Sequence, residues 1–111
     1  MFKLDHDPVE GSHLIVAAGE LDISATSELS AIFAMSAAGP QTMVVLDLTS
    51  VDFIDSSALG TILRAAQQLE GAGKRLHVVA PDGPVRRLLE ITGTASRFTL
   101  HASRSAAFAS A

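Results

Sequence analysis

At 111 residues the chain has the length of one domain with a sizeable core. It contains no cysteine, which excludes disulfides and thiolate metal sites and fits a reducing compartment. The N-terminal MFKLDHDPVEGS is too polar for a signal peptide, and no apolar run approaches the roughly 20 residues of a membrane span, so a soluble, cytoplasmic protein is expected.

The net charge of −4 is unevenly placed. Residues 1–55 carry nine acids against one lysine, and residues 56–111 carry seven basic groups against three acids. Phosphate binding needs a basic footprint, so nucleic acid is a poor partner for the acidic half. A basic protein surface suits it better.

In chain order, Phe2–Asp7 reads as an edge strand, followed by turn signals at Asp7-Pro8 and Glu10-Gly11-Ser12. His13–Ala18 is a second strand with β-branched Ile15 and Val16 at its centre. It is expected to end at Gly19, with a loop over Gly19–Ile23. Asp22 or Ser24 can cap the next helix, because either side chain accepts from an orphan N–H. That helix is expected over Ala25–Ala38, burying Ala25, Leu29, Ile32, Phe33 and Ser36 and stopped by Gly39-Pro40.

Met43–Leu48 is short, apolar and valine-rich, the pattern of a strand buried on both faces. A loop is expected over Thr49–Ser56, then a helix over about Ser57–Glu70. Leu59, Ile62, Leu63, Ala66 and Leu69 form its apolar stripe. Leu76–Ala80 is a fourth strand. Pro81-Asp82-Gly83-Pro84 turns into a third helix, with Pro84 in its first turn, an apolar face of Val85, Leu88 and Leu89, and Gly93 at its end. Phe98–Leu100 is a last short strand, and the alanine-rich tail 103–111 is a weak helix former anchored by Phe108.

Strand–strand followed by alternating helix and strand predicts an α/β domain whose sheet is largely parallel with an antiparallel edge. Right-handed crossovers put successive helices on one face while strand order advances one way. Loops after the carboxyl ends of parallel strands lie together and carry sites. Glu20, Asp22, Asp52, Asp55, Ser56 and Asp82 are therefore expected on one edge.

His6, His13, His77 and His101 show no metal-ligand spacing, and no P-loop, G-x-S-x-G elbow or G-x-G-x-x-G is present. No metal, cofactor or catalytic residue is expected, and the chain is read as a non-enzyme. Asp47, the one acid inside an apolar strand, is expected to turn outward near the strand end. What remains is Asp55-Ser56-Ser57 at the mouth of a helix. Asp and Ser there serve orphan N–H groups as caps. A phosphate on Ser56 would meet the positive end of the helix dipole and add about −1.5 to −2 charges beside Asp52 and Asp55.

Gly19-Glu20-Leu21-Asp22, then VVLDLTSVDFIDSSALG, then VVAPDGPVRRLLEITG resemble the STAS domains, specifically the small bacterial anti-sigma factor antagonists. The resemblance covers nearly the whole of 1–111. It implies a single STAS-like domain with a mixed, mostly parallel sheet of about four to five strands and helices mainly on one face. It also implies partner switching. The unphosphorylated antagonist binds an anti-sigma factor that is a serine kinase and so frees the sigma factor. Phosphorylation of the serine after the motif aspartate weakens that complex, and a PP2C-type phosphatase restores it. Carried over, the acceptor is Ser56, Ser57 is the neighbouring capping hydroxyl, and Glu20, Asp22, Asp52, Asp55, Ser57 and Ala58 belong to the partner surface. Ala58 replaces the family's usual glycine, which would put a methyl on a kinase's approach to Ser56. The alternative is a STAS interaction or scaffold module that is not phosphorylated, with Ser56 as a helix cap. A receiver-like acceptor at Asp47 is disfavoured, since such a domain needs further acids after its first strand and a lysine after its last, where this chain has only Arg104.

Overall fold

The structure is a computed structural model and describes residues 1–110. Five strands form one mixed sheet in sequential order: β1 (Phe2–Val9), β2 (Ser12–Leu21), β3 (Met43–Ile54), β4 (Arg75–Val79) and β5 (Thr99–His101). β1 pairs antiparallel with β2, and every later pair is parallel. The helices are α1 (Thr26–Ala38), α2 (Ser56–Gly71), α3 (Pro84–Ile91) and α4 (Arg104–Ala109). This is the α/β domain with a mostly parallel sheet and an antiparallel edge that the sequence pattern predicts.

Strand order advances without reversal, so the right-handed crossovers α1, α2 and α3 share one face. Their main core joins Ile15, Ala17, Val44, Leu46, Leu76 and Val78 from the sheet to Leu29, Phe33, Ile62, Leu69 and Leu89 from the helices. The α1 stripe is as expected: Leu29, Ile32, Phe33 and Ser36 are all buried. In α2 the stripe is displaced by a fraction of a turn. Ala58, Thr61, Ile62, Ala65, Ala66 and Leu69 are buried, while Leu59 and Leu63 lie half-buried at the rim. The small residues let the helix sit close to the sheet, and the leucines seal its flank. α4 covers the opposite face, where Ala107 and Phe108 pack with Met43, Val45, Val79 and Leu14.

Two strands outrun their expected ends by three residues or more. β2 continues through Gly19 to Leu21, and β3 continues past Leu48 to Ile54, so most of the expected loops are paired backbone. Their register shifts between Val16 and Ala18 and again between Gly19 and Glu20, then resumes with Glu20 opposite Phe53 and Leu21 opposite Ile54. Bulges of this kind bend a strand and re-aim its side chains. Gly19 is required there: its φ is +83°, and a β-carbon would collide with the Met1 carbonyl.

Candidate functional site

The site begins where β3 hands over to α2. The Asp55 N–H donates to the Leu21 carbonyl at 3.0 Å, which ties the end of β3 to the end of β2. Asp55 has extended backbone, and its Oδ1 accepts from the Ala58 N–H at 2.9 Å. It is therefore the N-cap of α2, and Ser56 is the first helical residue. Ser56 is exposed, and its hydroxyl has no hydrogen-bond partner among the described residues.

Three expectations change at this point. Ser57 does not cap the helix; it is half-buried, and its carbonyl accepts from the Thr61 hydroxyl at 3.1 Å. Ser56 does not cap it either, because Asp55 already does. Ala58 is fully buried in the main core, so its methyl neither meets a partner nor obstructs the approach to Ser56. A side chain three residues past the cap points down onto the core while the first points out, which spacing alone does not settle.

The acids expected beside Ser56 stand at the C-terminal ends of the parallel strands. Glu20 is opposite Phe53 in the register, exposed, and 3.4 Å from the Met1 amino group. Asp22 turns into its own loop and caps the short 3-10 turn over Ile23–Ala25, accepting from the Ser24 N–H at 2.9 Å and from the Ser24 hydroxyl. These hydrogen bonds hold its carboxyl below the ordinary aspartate value. Asp52 is exposed on β3. Asp82 follows the end of β4 and lies 4.0 Å from Arg86. The parallel register puts Glu20 and Asp22 beside the Asp52–Ser56 segment, whereas Asp82 follows β4, whose pairing with β3 ends at Asp47 opposite Val79.

That edge also carries two apolar side chains not singled out in the sequence: Ile23 is 71% exposed and Phe53 50% exposed. The signal for Phe53 is an aromatic residue set between Asp52 and Asp55 just beyond the buried run. Beside it a shallow groove runs between β3 and α3, lined by Asp52, Phe53, Ile54, Pro84, Val85 and Leu88.

Asp47 does not turn outward. It is 4% exposed on the α4 face of β3, where it accepts from the N–H and hydroxyl of Thr49 and from Arg104 Nε at 2.9 Å and Nη2 at 2.8 Å. Burial alone would raise its pKa, but these bonds and the guanidinium charge outweigh it and hold the carboxyl below its usual value. With both oxygens engaged in a covered position, it is poorly placed to accept a phosphoryl group.

The histidines pair across the chain. His6 Nδ1 and His13 Nε2 lie 2.9 Å apart, with Ser36 on the other side of the His13 ring; His77 Nδ1 and His101 Nε2 are also 2.9 Å apart. Among the described residues, no group of three or more His, Asp or Glu is arranged to hold a metal ion. No helix among them is long and apolar enough to cross a membrane.

The family model for the STAS domain matches residues 7–107. The chain belongs to the STAS domain family. A Bordetella bronchiseptica STAS relative, BtrV, provisionally named an anti-sigma factor antagonist, is 32% identical over 107 residues, covering 96% of this chain and 92% of its own. Among solved structures, an anti-sigma factor antagonist from Mycobacterium paratuberculosis superposes with a TM-score of 0.89 at 22% identity, covering 99% of this chain and 93% of that one. The Bacillus cell-fate determinant SpoIIAA in its phosphorylated form superposes with a TM-score of 0.71 at 22% identity over 96% of each chain. The STAS fold therefore accounts for the sequential sheet and for the layer of three helices on one of its faces. Ser56 and its acidic neighbours occupy the C-terminal edge of that sheet.

Proposed function

We propose that this STAS domain is an anti-sigma factor antagonist that works by partner switching, with Ser56 as its phosphorylated residue. One observation carries the assignment of the serine: Asp55 supplies the cap of α2, so the Ser56 hydroxyl is exposed and unengaged. The 32% identity to BtrV over nearly its full length supports the class of partner.

In this scheme the unphosphorylated edge binds an anti-sigma factor that is also a serine kinase. Ile23 and Phe53 provide apolar anchors, and Glu20, Asp22, Asp52 and Asp55 face basic groups of the partner. The kinase transfers the γ-phosphoryl group of ATP: the Ser56 Oγ–P bond forms, the bond to the ADP oxygen breaks, and the hydroxyl proton passes to a base of the kinase. The product adds about −1.5 to −2 charges and three hydrated oxygens to an acidic edge. Each 1.4 kcal/mol of lost binding weakens the complex about tenfold, so local repulsion suffices without refolding. A PP2C-type phosphatase hydrolyses the ester and resets the edge. The proposal places the protein in the cytoplasm, with ATP and the transcription machinery. It takes the STAS unit as 1–111, since β1 begins at Phe2 and α4 reaches Ala109.

The test is capture from native lysate with wild type and Ser56→Asp as baits, read by mass spectrometry after matched melting curves. An ATP-binding serine kinase held by wild type and lost from Ser56→Asp is expected. That kinase should label wild type and leave Ser56→Ala unlabelled. The same partners on both baits would instead mean a constitutive scaffold.

A further inference from the structure

Arg64 is the only charged side chain from Ser56 to Leu69. It is exposed and has no carboxylate within ion-pair distance among the described residues. It is the ninth of the 16 residues of α2, too far from the last turn for the helix dipole to favour its charge. Its guanidinium is nevertheless folded back toward the start of α2. Arg64 Nη2 donates to the Thr61 hydroxyl at 3.2 Å, and that hydroxyl donates in turn to the Ser57 carbonyl at 3.1 Å.

The route it follows passes over Gly60. Gly60 sits inside α2 and is not among the glycines with positive φ, so its backbone does not call for glycine. Glycine there costs helix stability relative to alanine. What it leaves is space: outside the local helix backbone, a β-carbon at Gly60 would have only the Arg64 side chain within 4 Å, with Nη1 at 3.3 Å. Gly60 also lies one turn, about 6 Å, beyond Ser56 on the same side of the helix. Ser56 lies two turns, about 12 Å, before Arg64 along the helix axis, a span that a phosphoserine and an extended arginine must cover together over the side-chain-free position of Gly60.

We propose that Arg64 is an on-chain ligand for the phosphoryl group of phosphorylated Ser56, reaching it across the gap left by Gly60. The proposal rests on Ser56 being the acceptor. In the unmodified protein the guanidinium is parked on the uncharged Thr61 hydroxyl by a single part-buried hydrogen bond of 3.2 Å, with no opposite charge to hold it. A phosphate offers three strong acceptors and opposite charge, the geometry a guanidinium fork pairs with best. Pairing would lay the phosphate along α2, fix its direction and offset part of its charge beside Asp52 and Asp55. The depth of the switch is then set partly within this chain and not solely by the partner.

The test is a ³¹P NMR titration of protein carrying genetically encoded phosphoserine at position 56. With Arg64 in place, the second phosphate ionisation should fall ~0.5 pH unit or more below that of the Arg64→Gln variant, because a paired cation favours the dianion. Arg64→Lys should show a smaller shift, as a point charge without the fork. Unphosphorylated wild type and Arg64→Gln should melt alike. Equal ionisation in the two phosphoproteins would overturn the pairing. Because no kinase is used to install the phosphoserine, that result leaves Ser56 as the acceptor untouched. Failure of the kinase to label Ser56, with the shift present, would instead defeat only the switching scheme.

Discussion

On one face of the sheet, α1, α2 and α3 bury a continuous apolar core that includes Phe33, Leu29, Ile62, Leu69 and Leu89. On the other, α4 alone covers Met43, Val45 and Val79 with Ala107 and Phe108. The larger face is held by area removed from water, which needs no particular partner. The smaller face has too little apolar area for that and relies on directional polar bonds, chiefly Asp47 with Arg104 and His77 with His101. The two faces should therefore fail differently, the first by loss of packing and the second by loss of charge or protonation state.

The largest effect is expected on the helix-covered face. Phe33→Ala removes a side chain that is 1% exposed and should cost about 3–5 kcal/mol in denaturant unfolding, since the cavity closes only in part. A loss below about 1 kcal/mol would mean that the core reorganises freely and the contrast between faces is overstated.

Arg104→Ala comes next. It leaves the Asp47 carboxylate covered with its Thr49 bonds but without its guanidinium, at an expected cost of about 1–3 kcal/mol near neutral pH. The value stays below that of a fully buried pair because the Arg104 side chain is 47% exposed. The folded Asp47 carboxyl titrates below 3.8, so its contribution is present above that pH and is lost as pH falls through the folded value. The variant should accordingly lose less stability than wild type on acidification. Parallel acid curves for the two proteins would remove the ion pair from the account of this face.

The smallest effect separates the faces by histidine. His13 is pushed below 6.5 by burial, then by His6 and Lys74, with Asp7 opposing; His77 is pushed below it by burial, His101 and Arg75. Both favour the neutral ring in the folded protein. Stability is thus full above pH 6.5 and declines as pH falls through the folded values. His13 sits against Ser36 of α1, and His77 lies near Ser110 at the end of α4. His77→Gln should flatten the decline measured by hydrogen exchange in α4 and leave that in α1, with His13→Gln doing the reverse. One pH profile shared by both helices in every variant would show that the two faces open together.

Much of the site could be read from local chemistry. Asp55-Ser56-Ser57 after a buried strand marks a helix start whatever the rest of the chain does, because a carboxylate or hydroxyl there relieves orphan N–H groups. Which of the three caps, and which is left free, depended on the angle at which β3 enters α2 and on the tie from Asp55 to Leu21. Ala58 is assigned to the partner surface by the resemblance alone, and its burial depends on how α2 lies on the sheet. Phe53 lies beyond Leu48, where the buried run ends. Beyond that point the side chains of β3 lose the buried-run pattern, and the strand persists because bulged β2 continues to pair with it.

The sequence by itself determined the order and kind of the elements, the α1 stripe, the Gly39-Pro40 stop and the acidic edge around Ser56. These follow from periodicity, turn chemistry and the rule that parallel strands gather their following loops at one end. Only the tertiary structure decided the lengths of β2 and β3, the inward turn of Asp47 onto Arg104, the histidine pairs and the burial of Ala58. Each depends on a partner distant in the chain, and a contact between residues 57 apart, as for Asp47 and Arg104, leaves no local pattern to read.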